Sequence, residues 1–284
     1  MYHNLGNSVV LTNWEHHDSV LTSIFPFAKE EELKHTSGAL EPQLWREVPY
    51  GFAHRLPEQE TIKIKFYAKN INASDKLIEQ ITPQAAEFAH AQAYQLMCDE
   101  LTKGLKNEKL TKIAPKELQS TDSDMASNSA ARLARTWQEK IELSPLGAQA
   151  ILNDVVWSLE ELGRQLHTNP GYLSRHLTLA VPTSHMPNLM AHTGVLSSAY
   201  DMLQATYPDL KIVAISELDT GKQACALLVY ADKSFGPAGY FALNQDPWLA
   251  DIGSQNNATY CQVTLPSIHL VLTKPEQIVV LEDI

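Results

Sequence analysis

Few residue combinations in this chain have a spacing that could support chemistry. Glu87 and His90 lie three residues apart in a helix-like stretch, which is the spacing used by carboxylate-bridged di-iron sites. Such a site needs two pairs of this kind and two further glutamates on four helices, whereas this chain has one pair and many strand-like segments. His16 and His17 are adjacent, but no cysteine or third histidine lies at a ligand spacing. We therefore predict no metal and no cofactor.

Two further motifs come close to catalytic sequences and lack an essential part. Ser184 precedes His185 within Pro-Thr-Ser-His-Met, where a hydrolase nucleophile would need Gly-x-Ser-x-Gly, so we predict that Ser184 caps a helix. Gly221 and Lys222 lack the upstream glycine of a phosphate-binding loop and precede a strand, which predicts a hairpin turn. No residue is nominated as catalytic, and we predict that the protein is not an enzyme. An enzyme of an unrecognised α/β type stays open as a rival.

The composition is that of an acidic globular protein. The chain has 284 residues, of which 44% are hydrophobic, and its formal net charge is −11. This charge argues against a protein whose main task is to hold nucleic acid through phosphate contacts. The three cysteines are an odd number in a long chain, which predicts free thiols in a reducing compartment. The longest wholly apolar run, Ala224–Ala231, is too short for a membrane span, and we predict no membrane partner.

The second half of the chain predicts a compact α/β unit. His176–Val181 alternates like a strand, and Ser197 or Ser198 can cap the short helix that follows. Lys211–Ser216 is a β-branched alternating run, and Ala224–Ala231 is apolar throughout, as a strand buried on both faces would be.

Two long helices are predicted upstream of this unit. Pro83 is expected to open the first, since proline is favoured in a first turn. Ser144 and Pro145 are expected to open the second, as an N-cap followed by proline. Its apolar residues hold a period near 3.6, which makes it the clearest amphipathic helix of the chain; they are Ala148, Ile151, Leu152, Val155, Val156, Leu159, Leu162 and Leu166.

Lysines recur every three or four residues between these two helices. If this stretch is helical, they form one basic stripe, and either a solvated face or a contact with DNA or an acidic partner would explain it. Gly104 and Pro115 count against the helix. The lysines are Lys103, Lys106, Lys109, Lys112 and Lys116.

Further strands are predicted near both ends of the chain. Thr61–Tyr67, Tyr260–Leu265 and His269–Thr273 alternate between apolar and polar residues, and Ile278–Leu281 is a short final strand. A final strand that pairs within a sheet begun much earlier would make the second-half unit an insertion.

The last 110 residues or so resemble a tailed-phage or prophage major capsid protein of the Hong Kong 97-type fold. The resemblance lies in a strand that ends in proline, a helix, and the segments YPDLKIVAISELD, LLVYADKS and KPEQIVVLEDI. The matching residues are Leu179, Pro182, Leu203, Pro208, Leu210, Ile212, Glu217, Leu218, Leu228, Tyr230, Pro275 and Ile284.

The resemblance implies an α+β fold with an axial domain inserted into a peripheral domain. The expected parts are an N-terminal arm over residues 1–30, an extended loop over 31–70, and an axial domain over 144–254. The peripheral domain, with its spine helix, would take 71–143 and 255–284. A net negative charge suits a container wall that does not adhere to enclosed DNA.

The function implied is a structural subunit that assembles into an icosahedral head around double-stranded DNA. Its partners would be its own copies, in pentamers and hexamers, together with scaffold, portal and decoration proteins. It would be assembled in the bacterial host cytoplasm and end in the virion capsid. Expected contacts between subunits are Trp14, Trp45, Arg46 and Trp248. An encapsulin-like compartment that holds enzymes remains an alternative.

Overall fold

The structure is a computed structural model that describes most of the second half of the chain and part of the first. The described residues are 4–5, 8–10, 20–29, 61–66, 75–119, 133–194, 197–219, 224–231, 236–243, 246–255, 258–265 and 267–284. Trp14, Trp45 and Arg46 lie outside them, as do the His16-His17 pair and the Gly221-Lys222 turn.

The described residues contain helices and strands in mixed order. The helices are α1 (Val20–Ile24), α2 (Asp75–Gly104), α3 (Trp137–Leu143), α4 (Gly147–Gln165), α5 (Pro170–Leu173), α6 (Met186–Met190) and α7 (Ala199–Thr206). The strands are β1 (Asn4–Leu5), β2 (Ser8–Val10), β3 (Phe27–Lys29), β4 (Thr61–Phe66), β5 (Thr111–Ile113), β6 (Leu118–Gln119), β7 (Leu133–Ala134), β8 (Leu177–Pro182), β9 (Lys211–Ile215), β10 (Ala226–Tyr230), β11 (Gly239–Leu243), β12 (Trp248–Gln255), β13 (Ala258–Thr264), β14 (Ile268–Leu272) and β15 (Ile278–Leu281). The expected α+β class is confirmed.

The chain divides into two compact units. Unit 1 contains Met1–Leu101 and Tyr240–Thr273, and unit 2 contains Thr102–Gly239 and Lys274–Ile284. The chain therefore leaves unit 2 after Gly239 and returns to it at Lys274. Residues 102–143 and the final strand lie in unit 2 together with the α/β unit. The boundaries expected for the arm, the loop, the axial domain and the peripheral domain stay a prediction.

Unit 1 is built on two sheets and the long helix α2. One sheet has the order β1-β2-β12-β13-β4, in which β12 and β13 form an antiparallel hairpin with a register shift between Ala250 and Gly253. The other has the order β14-β11-β3, and Phe241 of β11 lies 6.1 Å from the ring of Phe25 in an edge-on contact. One face of α2 is buried at every fourth residue, as a helix surface requires: Ala85, Ala89, Ala93, Met97 and Leu101.

Unit 2 is organised by a five-stranded sheet of order β5-β15-β10-β8-β9. Strand β10 is antiparallel to β8 and β15, whereas β8 and β9 are parallel, as are β15 and β5. Ser198 caps α7, since its hydroxyl accepts a hydrogen bond from the Asp201 N–H. The predicted order of strand, capped helix, strand and buried strand is therefore confirmed.

One face of this sheet packs against helices α3, α4 and α7 to form the core of unit 2. Alternate residues of each strand enter the core because successive side chains of a strand point to opposite faces. Intervening residues such as Leu227 and Val280 are also buried, so β10 and β15 are covered on both faces. The core includes Ile151, Val155, Leu159, Leu162, Leu177, Leu179, Val181, Leu203, Ala226, Leu228, Val279 and Leu281.

A buried ion pair joins α3 to α4. Lys140 Nζ lies 2.5 Å from Asp154 Oδ2, and the side chains are 0% and 1% exposed. The Trp137 indole N–H donates to the same oxygen at 3.2 Å, and the backbone N–H of Lys116 donates to Oδ1 at 3.1 Å. Burial raises the pKa of Asp154, and the Lys140 ammonium opposes that rise. Hydrogen-bond donors at both carboxylate oxygens compensate for the water that the buried charges lose.

Two predicted helix starts are wrong. Helix α2 begins at Asp75, so Pro83 lies inside it, where the ring costs the helix one backbone hydrogen bond. Ser144 and Pro145 precede the second long helix, but Ser144 is the C-cap of α3, and α4 begins at Gly147 after Leu146. The Ser144 hydroxyl accepts from the Leu146 N–H and so shapes the turn between the two helices.

None of the helices in the described part of the chain has the length and apolar character that crossing a membrane requires.

Breaking the buried pair from one side should be far more damaging than removing it whole. We expect Asp154→Ala or Lys140→Met to lower the free energy of unfolding by roughly 3–5 kcal/mol, since each leaves a buried charge without its partner. The double variant Lys140→Met, Asp154→Leu should recover most of that loss. Urea unfolding of the unassembled subunit, followed by tryptophan fluorescence and circular dichroism, measures both.

The exposed pair Arg135–Glu117, with an N–O distance of 3.0 Å, is the matched control, and Arg135→Met should cost less than about 1 kcal/mol. Equal losses in the single and double variants would contradict a coupled pair.

Gly147 sets how closely α3 and α4 approach. A Cβ added there would lie 2.2 Å from the Lys140 carbonyl oxygen, which is backbone and cannot rotate away. We expect Gly147→Ala to destabilise the protein by roughly 1–3 kcal/mol through overpacking. Thermal unfolding of Gly147→Ala beside Gly171→Ala tests this, because a Cβ at Gly171 comes no nearer than 3.3 Å to the Asn169 side chain. Two variants of equal stability would show that the helices can separate without cost.

Candidate functional site

The arrangement nearest to a catalytic one lies at the carboxyl ends of the parallel strands β8 and β9. The Ser184 hydroxyl donates to Asp219 Oδ1, the Ser184 backbone N–H donates to Asp219 Oδ2 at 3.3 Å, and His185 Nδ1 lies 2.8 Å from the same hydroxyl. A serine hydrolase needs the histidine between serine and carboxylate. Here the serine lies between the histidine and the carboxylate, so the Ser184 hydroxyl donates its proton to Asp219. These hydrogen bonds connect the loop after β8 to the loop after β9.

The predicted cap at Ser184 is wrong. Helix α6 begins at Met186, its N-cap is His185, and no side chain makes the capping hydrogen bond. Ser184 lies instead in the 3₁₀ turn Thr183–His185, where its hydroxyl bonds across the chain to Asp219. Sequence spacing could not show this, since the partner is 35 residues away.

The metal candidate on α2 gathers no further ligands. Glu87 is exposed on that helix and His90 is half-buried. Across the described ranges, no group of three or more His, Cys, Asp or Glu side chains could hold a metal ion.

The lysines do not form a helical stripe, because α2 ends at Gly104. Lys103 lies in its last turn, Lys112 lies in β5 and pairs with Glu282 at 2.8 Å, and Lys116 places its ammonium 4.5 Å from the Trp157 ring centre. Lys106 and Lys109 lie in the turns between α2 and β5 and are exposed. The single basic stripe, which depended on this stretch being helical, is therefore not formed. A DNA or acidic-partner contact stays a prediction for Lys103, Lys106, Lys109 and Lys112.

Cys98 and Cys225 are thiols outside any disulfide, and neither is suited to be a nucleophile. Burial raises the pKa of each thiol to about 11, with Asp99 adding to the shift at Cys98 and Glu282 at Cys225. A nucleophilic cysteine needs the opposite shift, towards a thiolate near neutral pH.

Several large apolar side chains are exposed in the described part of unit 2. Leu146 before α4 and Met190 at the end of α6 are about half exposed, and Tyr172 on α5 is 81% exposed. Beside α5 lies a shallow concavity of about 420 Å³, lined by Glu160, Gly163, Arg164, His167, Thr168 and Pro170. A concavity this shallow does not enclose a small substrate.

Trp248 begins β12, opposite Thr264 and Val10 in the register of the unit 1 sheet. It is half-buried. Its predicted role as a contact between subunits stays a prediction.

Comparison with known proteins gives these surfaces a context. Residues 117–246 match the family model described as Pa193 gp26 major capsid protein. Over this segment the chain is similar to major capsid proteins. The segment covers slightly less than half of the chain and contains the α/β unit from α3 to β11. The function expected from the sequence, a structural capsid protein, is confirmed by this match.

Several solved capsid structures are similar to this chain in fold. The capsid of Myoviridae phage XM1 is 12% identical with a TM-score of 0.46, and the match covers 80% of this chain and 74% of that one. Mycobacterium phage Che8 gives 12% identity and 0.45 over 80% and 71%. The virus-like particle from Pyrococcus furiosus gives 15% identity and 0.45 over 78% and 76%. These identities and TM-scores are low, so the assignment rests on the matched family model.

No match is found among curated proteins.

A major capsid protein has its place in the capsid of the virion, and its role implies self-association into shells. The surfaces that meet in such a shell are the functional site of this chain. Sequence reasoning missed two features of unit 2, the exposed Tyr172 and the buried Lys140–Asp154 pair. The signal for Tyr172 was an aromatic residue directly after Asn-Pro-Gly. The signal for the buried pair was the period of α4, which places Asp154 on the same face as the apolar Ile151 and Val155.

The thiol assignment predicts slow alkylation of the native protein. At pH 8 a thiol with a pKa near 11 is about 0.1% ionised, so Cys98 and Cys225 should react with iodoacetamide more than tenfold slower than in the urea-unfolded chain. Peptide mass spectrometry of samples quenched over time measures each cysteine separately. Native and unfolded rates that agree within twofold would contradict it.

Proposed function

We propose that the protein is the building block of an icosahedral phage head that encloses double-stranded DNA, packs as pentamers and hexamers, and performs no catalysis. The single observation that carries the proposal is the major capsid match over residues 117–246. The geometry supports it, because the Ser184 cluster has the wrong order for hydrolysis and the two described thiols are un-ionised at neutral pH.

The parts of the fold are assigned on the same proposal. Residues 1–30 form an arm and 31–70 an extended loop that reach over neighbouring subunits, with Trp14, Trp45 and Arg46 as contacts. Helix α2, with 30 residues and a length of about 45 Å, is the spine helix. Residues 144–254 form the axial domain, while 71–143 and 255–284 form the peripheral domain. Trp248 is a further contact.

The partners follow from the same role. Copies of the chain come first, with scaffold, portal and decoration proteins and enclosed DNA bound without sequence specificity. Assembly takes place in the cytoplasm of a bacterial host. A net charge of −11 supports this reading of the inner wall, since a strongly basic lining would bind DNA tightly during packaging. Lys103, Lys106, Lys109 and Lys112 are the proposed local exceptions.

Purified protein should assemble in a concentration-dependent way. We expect light scattering and negative-stain microscopy to show closed shells or rings of five and six subunits, because many weak contacts act together in a closed assembly. A monomer or dimer at high concentration, with no assembly even beside co-expressed neighbouring proteins, would overturn the proposal. Nuclease treatment of particles from producing cells separates the contents, since protected DNA supports a phage head and packaged protein supports a compartment.

A further inference from the structure

The α4–α5 end of unit 2 presents an aromatic side chain and a concavity next to each other. Tyr172 lies on α5 and is 81% exposed, which leaves nearly all of a large ring in solvent. A single exposed tyrosine needs no explanation by itself. Here, however, Pro170 of the same short helix lines the 420 Å³ concavity, together with Gly163 and Arg164 of α4.

The backbone holds both features in place. The Asn169 side chain accepts from the Gly171 N–H and so caps α5. The Thr168 N–H donates to the Gly163 carbonyl at 2.9 Å, which folds the chain back onto the end of α4. His167 has a φ of 50°, a conformation that a non-glycine residue keeps only where its surroundings hold it. The backbone that carries Tyr172 and the wall of the concavity are therefore held together.

The charges around them suit contact with an identical copy. Arg164 and Arg175 are 74% and 78% exposed at this end of the unit, beside Glu161 and Asp209. The chain as a whole carries −11, so two copies repel each other on average. A surface that carries guanidinium and carboxylate groups together can meet an identical copy with opposite charges facing each other, which opposes this repulsion.

A ring of subunits needs a contact in which unlike parts of one surface meet. In a head-to-tail contact, a projection on one copy enters a depression on the next, and the series closes when the rotation fits. Near the axis of such a ring neighbouring copies lie close together, so a projection and a depression a few residues apart can meet across the boundary. Tyr172 and the concavity have this relationship.

We propose that Tyr172 of one subunit enters the concavity of the neighbouring subunit formed by Glu160, Gly163, Arg164, His167, Thr168 and Pro170. The occupant is a second copy of this chain, and the proposal rests on the assembly function proposed above. The tyrosine ring packs on Pro170 and His167, and its hydroxyl reaches the Glu160 carboxylate. Tyrosine suits such a contact because it buries a large area at the cost of fixing only two side-chain torsions.

Variants at Tyr172 test the contact through the protein concentration at which assembly begins. Tyr172→Ala should raise that concentration at least tenfold, which is a common loss for an aromatic anchor at an interface. Tyr172→Phe keeps the ring and should assemble within about threefold of the wild type. Circular dichroism melts of the dilute subunit should show equal melting temperatures, because the side chain makes little contact within its own chain. Equal assembly thresholds for Tyr172→Ala and wild type would overturn the proposal.

Cross-linking tests the geometry even if Tyr172→Ala folds poorly. Thr168→Cys and Tyr172→Cys subunits, mixed and assembled together, should join into two-subunit products with a bifunctional thiol reagent about as long as a tyrosine side chain. Each variant alone, and the wild type with only its native thiols, should give none. Products from Tyr172→Cys alone would show a two-fold symmetric contact and overturn the head-to-tail arrangement, as would the absence of products from the mixture.

The same experiments separate this inference from the proposed function. If wild-type protein forms shells but neither variant nor cross-link behaves as expected, the shell function stands and the Tyr172 contact is wrong. If wild-type protein never assembles, the function itself fails.

Discussion

Strand β15 is the element on which unit 2 depends. It lies between β5 and β10, all four of its residues are buried, and it is the last strand of the chain. The Glu282 N–H donates to the Ile113 carbonyl and the Ile284 N–H donates to the Ala224 carbonyl, so the residues after β15 are bound on both sides. Without β15, strand β5 would lose the strand it pairs with, β10 would lose one of its two, and the apolar face beneath α4 would be open. The core of unit 2 therefore closes only after the chain has passed through Tyr240–Thr273 in unit 1. Strands so far apart in sequence pair slowly, because the chain loses the entropy of closing the loop before the stabilising contacts form. This order suits a subunit that must not associate early, since the surfaces on α4 and α5 take their shape from the closed core.

The buried Lys140–Asp154 pair makes a different contribution. Pairs of this kind are rarely more stable than an apolar substitute of the same volume, because both charges lose their water. In this structure the pair fixes the position of α3 on α4. Trp137, Lys116 and Lys140 all donate to one carboxylate, so α3 and the loop after β5 are fixed to a single point on α4. Gly147 allows the helices to approach this closely. A subunit of a closed shell needs such a fixed shape, since a few degrees of error at each contact would prevent closure.

The sequence was informative where one physical signal dominated. Alternation and uninterrupted apolar runs located β8, β9, β10, β13, β14 and β15, and the 3.6-residue period located the buried face of α4.

The sequence was misleading where two local signals competed. Pro83 was read as a helix start because proline is favoured in a first turn, yet α2 begins at Asp75 and continues past Pro83 into the buried face that contains Ala85 and Ala89. The burial of that face outweighs the one backbone hydrogen bond that the proline removes. Ser144 has the residue type of an N-cap, but its hydroxyl shapes the turn between α3 and α4. The lysine spacing from Lys103 to Lys116 is helical only if Gly104 does not end the helix, and it does. The Ser184–Asp219 bond joins residues 35 positions apart, so no local pattern could have revealed it. For the Lys140–Asp154 pair, the position of Asp154 on the buried face of α4 was a signal that a partner is needed, but it did not name Lys140.

A shell places an upper as well as a lower limit on the strength of each contact. Every subunit in a closed particle is held by several neighbours at once, so the total stability is large even when each contact is weak. A contact that is strong by itself would trap incomplete or wrongly closed assemblies, because subunits could not dissociate and bind again.

The surface around Tyr172 suits a contact of moderate strength. It offers one aromatic ring and a shallow concavity, bordered by exposed charges whose pairing contributes little in water. Among the described residues of unit 2, β10 and β15 are buried inside the subunit, and the large apolar side chains that are exposed are Leu133, Leu146, Tyr172 and Met190. This division, with a firmly packed unit and modest external contacts, is the physical arrangement that allows a shell to correct its errors while it grows.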